Sequence, residues 1–187
     1  MSGFLFAFLA TVFAGIGARD QLTVAGLAAR QGQRPAVLAL ALVTSMATAG
    51  LAGWAALAVL PLLAGKLAAG KILTAMALGL AGGEMLLFGP RRVPDEPTRS
   101  LGATGIVLLA HQLTDAARFV VFALAVATSA PISAGLGGAA GSAGIVTLGW
   151  LAAGDLPLRQ VIMARRMAGA LLLVVAAGLA LSGLGRI

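Results

Sequence analysis

Two charged pairs stand in apolar sequence where lipid would be expected. Arg19-Asp20 lies within AGIGARDQL (14–22), and Asp115 and Arg118 lie within LAHQLTDAARF (109–119). A charge at the bilayer centre costs about 2.5–3.5 kcal/mol on insertion scales, so such groups face a protein interior, pair with one another or line a pathway. Asp20 offers a hard oxygen ligand for a divalent cation or an acceptor for a proton. Arg19 beside it competes with any cation. Gly15 and Gly17 allow close packing or a local break, and a broken membrane helix frees carbonyls that can bind a cation where they line a cavity. In the second motif His111 and Asp115 are four residues apart and share a helical face. Gln112 and Thr114 add oxygens, and Asp115 and Arg118, three apart, can pair along the helix. Imidazole changes charge near neutral pH, so His111 could relay protons.

Two readings of these residues stay open. In one, both motifs build a single midplane site, with Asp20 and Asp115 as carboxylates and Gln21, Gln112, Thr114 and His111 around them. In the other, Asp20 pairs with Arg118 and Arg19 with Asp115. That neutral network holds two halves of the chain together and binds nothing, and His111 makes an interhelical hydrogen bond.

The elements that carry these motifs are membrane helices. Of 187 residues 60% are apolar and 10% charged, whereas soluble domains are about 45–50% apolar and about 25% charged. Six apolar segments run roughly 3–29, 36–60, 66–88, 102–128, 131–152 and 163–184, each near the roughly 20 residues that a spanning helix needs. RQGQRP, LPLLAGK, GPRRVPDEPTRS, TSAP and GDLPLRQ separate them, with Pro and Gly marking most breaks. The expected fold is an all-α membrane protein of six transmembrane helices, packed closely through its 26 glycines and many alanines. The apolar N-terminus lacks a basic region and reads as the start of the first span. With no cysteine there is no disulfide and no thiolate metal site, and one histidine excludes a multi-histidine zinc or haem site. No nucleophile–base–acid arrangement points to an enzyme, and no aromatic-basic alternation points to nucleic acid.

An internal repeat organises the chain. Gly53-Trp54, six residues and Pro61-Leu62 recur as Gly149-Trp150, six residues and Pro157-Leu158, an offset of 96 that Gly89 and Gly185 continue. VAGLA (24–28) lies over VFALA (121–125) at an offset of 97. The expected division is a first three-helix repeat at 1–90, a cytoplasmic loop at 91–100 and a second repeat at 101–187. Three helices per copy make the second copy enter from the opposite side, an inverted repeat of the kind that places a transporter site between the copies. The net charge of +7 reports orientation first. Arg30, Arg34, Arg91, Arg92, Arg99, Arg159, Arg165 and Arg166 fall on one side; Lys66, Lys71 and Arg186 fall on the other. By the positive-inside rule both termini lie outside the cytoplasm.

Other polar residues carry blander expectations. Glu84 reads as interfacial or as a gate carboxylate. Lys66, Lys71, Arg165 and Arg166 read as snorkelling anchors, and Trp54 and Trp150 as interfacial residues. Thr44, Ser45 and Thr48 form a hydroxyl face bonded to its own helix.

The two motifs resemble those of the small cation/proton exchangers of bacteria, chloroplasts and the Golgi. Each half of that family carries E-x-G-D-[KR]-[TS] in its first helix, often followed by Gln. Over that pattern Gly17, Arg19 and Gln21 match, followed by Leu22; Gly15 and Ala18 stand at the two acidic positions and Asp20 at the hydroxyl position. In the second copy Asp115 matches and Gln112 replaces the glutamate. The resemblance implies two inverted three-helix repeats; in a bacterial inner membrane the bias in basic residues then places both termini in the periplasm. It implies exchange of manganese or calcium for protons, with the ion held near Asp20 and Asp115 together with Gln21, Gln112 and Thr114. A membrane scaffold or accessory subunit closed by ion pairs is the rival expectation, and an exporter of a small organic solute is a third.

Overall fold

The computed structural model describes residues 2–87, 100–153, 155 and 157–186. Gly89, Arg91, Arg92, Arg99 and most of the expected 91–100 loop lie outside the described residues. The described chain is helical: α1 (Ser2–Gly15), α2 (Arg19–Gln31), α3 (Pro35–Val59), α4 (Leu67–Leu87), α5 (Leu101–Leu113), α6 (Ala116–Ala127), α7 (Pro131–Ala152) and α8 (Leu158–Gly183). Local sequence sets these limits. Pro35 and Pro131 sit in the first turns of α3 and α7, where a missing N–H costs nothing. The Ser100 hydroxyl caps α5 by accepting from the Ala103 N–H. After α3 the Leu60–Leu63 3-10 turn and Gly65, at φ +73°, reverse the chain.

Four helices, α3 with its 3-10 turn, α4, α7 and α8, are each long and apolar enough to cross a membrane. The other four form two bent pairs: α1 and α2 meet at 58°, and α5 and α6 at 49°. Counting each pair as one broken span gives up to six. The sequence admits a break at Gly15–Gly17 but treats residues 102–128 as one straight helix. That expectation is corrected: α5 stops at Leu113, and Asp115 starts a new helix. His111 and Asp115 therefore share no continuous helical face, and Asp115 and Arg118 do not pair along one.

The interior is made of small side chains. Ala14, Ala77, Ala81, Ala116, Ala117, Ala123 and Ala176 join Leu78, Met85 and Val120 in a core shared by α1, α4, α6 and α8. Large apolar residues such as Phe6, Phe13, Trp54, Met76 and Leu171 face outward, as a lipid-facing surface requires. Helices approach at glycines. α3 crosses α7 at Gly53 and Gly135, and α4 crosses α8 at Gly82 and Gly169. At Gly137 of α7 an added Cβ would collide with the Phe4 carbonyl of α1, whereas at Gly144 it would meet nothing.

Gly137→Val forces α1 away from α7 and is expected to cost about 1–3 kcal/mol, the usual range for overpacking. Gly144→Ala is expected to be neutral. Thermal unfolding of the two variants in detergent, side by side, measures the difference.

Candidate functional site

The polar motifs lie at the two breaks, and their first role is to satisfy backbone that the breaks leave open. A helix end inside a membrane has free N–H and C=O groups with no water to take them. At the first break Gly17 adopts φ +72°, a conformation that favours glycine. Its N–H donates to the Gln21 side-chain oxygen at 2.8 Å. Asp20 stands in the first turn of α2, where its carboxylate accepts from the Gln21 N–H at 2.7 Å. At the second break Asp115 is the N-cap of α6 and accepts from the Ala117 N–H at 3.3 Å. Negative charge at a helix N-terminus is favourable in itself.

A buried guanidinium joins these ends. Arg165 of α8 donates through Nη1 to the Ala14 carbonyl at the C-terminal end of α1, at 2.8 Å. Its Nη2 pairs with Glu84 of α4 and, at 3.3 Å, with Asp115. The other oxygen of Glu84 takes Arg19 of α2 at 3.1 Å. The result is a chain, Arg19–Glu84–Arg165–Asp115, in which every member but the half-buried Arg19 is at most 5% exposed. The sequence expectations for two of its members are corrected here. Arg165 is no snorkelling anchor: α8 begins at Leu158, so Arg165 lies two turns inside the helix and Arg166 alone is exposed. Glu84 is buried and bridging rather than interfacial. With Arg165 withdrawn from the loop count, the basic excess becomes seven against three.

The expected pairing of Asp20 with Arg118 and Arg19 with Asp115 is also corrected. Arg118 is buried, and its Nε, Nη1 and Nη2 donate to the hydroxyls of Thr48 (2.8 Å), Ser142 (2.6 Å) and Ser45 (3.3 Å). Among the described residues no carboxylate lies within ion-pair distance of it. Thr44 and Thr48 do bond their own helix carbonyls as expected, yet Thr48 serves Arg118 as well.

Asp20 is 4% exposed and has no ion pair among the described residues. The groups acting on its carboxylate across the site are Asp115, Arg118 and the Gln112 amide. Gln112 is fully buried, and neither end of its amide has a hydrogen-bond partner. A buried orphan amide is costly, about 1–3 kcal/mol for each unmade bond. Asp20, Gln112 and Asp115 are thus the expected ligands that the fold gathers. Gln21 turns its oxygen onto the Gly17 N–H. Thr114 is exposed; it donates to the Ala110 carbonyl at 3.1 Å and makes a long 3.5 Å contact with Arg19. His111 lies 3.4 Å from the Thr23 hydroxyl, a contact between α5 and α2. Among the described residues no three His, Asp or Glu side chains converge as a metal cluster.

No family model, curated protein or solved structure matches the chain. The structure itself defines the class: a protein that is helical over its described residues, with four to six candidate membrane spans and five buried charged residues, Asp20, Glu84, Asp115, Arg118 and Arg165, among them.

Removing the guanidinium at 165 strands the Asp115 carboxylate and a helix-end carbonyl, and leaves Glu84 with Arg19 alone. Arg165→Leu is expected to cost about 3–5 kcal/mol, the penalty for breaking a buried pair from one side. Arg166→Leu is expected to cost nearly nothing. Melting temperatures of the purified variants distinguish the neighbours.

Proposed function

We propose that the chain is a secondary transporter of the cation/proton exchange kind its motifs resemble, with its site between the two helix breaks. The observation that carries this reading is the pair of bends at the two polar motifs, 58° and 49°. Irregular backbone at membrane depth is tolerated where it is buried in protein or lines a cavity, and broken helices of this kind build transporter sites. An inverted repeat of two three-helix units is supported by the way the halves meet: α3 packs on α7 and α4 on α8. The bent pairs occupy equivalent places in the two halves. The basic excess of seven against three supports periplasmic termini in a bacterial inner membrane.

The substrate would be a divalent cation such as manganese or calcium. Asp20 is the carboxylate free to receive it, with the orphan amide of Gln112 as a second oxygen. Asp115 joins only when it leaves Arg165. A proton and a cation cannot occupy the Asp20 oxygens together, and that competition is the physical basis for exchange.

A second reading is supported by the chain Arg19–Glu84–Arg165–Asp115. It ties up two of the three carboxylates buried among the described residues and suits a scaffold that keeps the fold and moves nothing. Uptake of labelled manganese or calcium into proteoliposomes, driven by an acidic interior, separates the two. The transporter reading expects uptake well above empty vesicles, reduced at least tenfold by Asp20→Asn and unchanged by Arg166→Gln. Native protein no faster than empty vesicles, or Asp20→Asn equal to native, overturns it.

A further inference from the structure

α3 and α4 both pack on α6 but leave a cleft of about 340 Å³ between them. That volume falls within the roughly 300–1,000 Å³ of small-molecule pockets. Its walls are apolar and include Leu73, Met76, Phe119 and Phe122. Its rim, at Leu51 and Leu80, is about half exposed on the surface that lipid would cover. The exceptions in the lining are Thr48 and Arg118, each 4% exposed.

Arg118 is a cation in search of a partner. Its three hydroxyl bonds orient the guanidinium without neutralising it. Asp20 acts on it only from beyond ion-pair distance. A guanidinium has five N–H donors, so Nη1 and Nη2 each keep one beyond these bonds. Two parallel donors on one planar cation match a carboxylate in bidentate fashion. A carboxylate brings a single negative charge to this cation, whereas a phosphate dianion would bring two. The apolar walls and lipid-side rim then ask for an aliphatic chain behind the carboxylate.

We propose that the α3–α4 cleft binds a carboxylate carried on a medium-length aliphatic chain, with the head on Arg118 and the tail among Leu73, Met76, Phe119 and Phe122. The ligand enters from the bilayer rather than from water. Binding at this cleft needs neither an ion gradient nor a cation at Asp20, so the two proposals fail separately.

The test is equilibrium binding of labelled decanoate to the full chain in phosphatidylcholine nanodiscs, with empty discs subtracted. One saturable site per chain is expected, displaced by unlabelled decanoate and at least tenfold less well by decanol or acetate. Arg118→Gln is expected to weaken binding at least tenfold. Met76→Trp, which fills the cleft and leaves the Arg118 hydroxyl bonds alone, is expected to do the same, so that misfolding of the first variant cannot decide the matter. The proposal is overturned if no saturable site is found, if decanol competes as well as decanoate, or if Met76→Trp binds like native protein. It is also overturned if discs containing phosphatidylglycerol lose the saturable site, since the occupant would then be a lipid headgroup.

Discussion

Everything in this structure depends on the Arg165 guanidinium, because it makes broken helices tolerable inside a membrane. A helix that stops at Gly15 leaves carbonyls with no water to satisfy them, and Arg165 supplies a charged donor to one of them at Ala14. The same cation meets Glu84 and Asp115, so the charge that caps α1 also offsets the charge that caps α6. Each break therefore needs the other half of the chain. The interaction is more than local helix capping: it joins α1, α4, α6 and α8 into one neutral assembly, with α2 attached through Arg19.

Short side chains give these charges their reach. Where α4 crosses α8 at Gly82 and Gly169, the two backbones approach until a Cβ on either would collide with its neighbours. Glu84 and Arg165 are borne on these same two helices, on the same side of that crossing, where they meet. Lipid provides no hydrophobic drive for helices to associate, so close packing and polar contacts must hold the bundle. Here they act at one place. The exposed leucines, phenylalanines and methionines contribute to membrane residence rather than to the fold.

Much of the architecture was legible in the chain, and the reasons are local. Apolar run lengths and Pro-Gly punctuation marked the helices, and Gly15 and Gly17 marked a site of possible breakage. The break at Thr114–Asp115 has no glycine. Its signal is an aspartate able to cap a new helix, and the same carboxylate is equally suited to bind a metal. Apolar run length alone starts the last segment at Met163 and leaves Arg165 at its edge. Pro157, an N-terminal helix signal, starts α8 five residues earlier and carries Arg165 inside. Glu84 needed a partner from a helix eighty residues away, and nothing local reports that. Of the expected ligands, Asp20, Gln112 and Asp115 came together because they flank the breaks. Gln21 and Thr114 were lost to backbone groups that only the bent geometry exposes.

The central claim is that one cation from α8 holds both breaks, and its coupling to Asp115 is directly measurable. A double-mutant cycle of Asp115→Asn and Arg165→Gln, read by reversible unfolding in detergent, isolates that coupling. The account predicts a departure from additivity of about 1–3 kcal/mol, within the range seen for residues in one buried network. Additivity to within about 0.5 kcal/mol, as for distant independent sites, would contradict it.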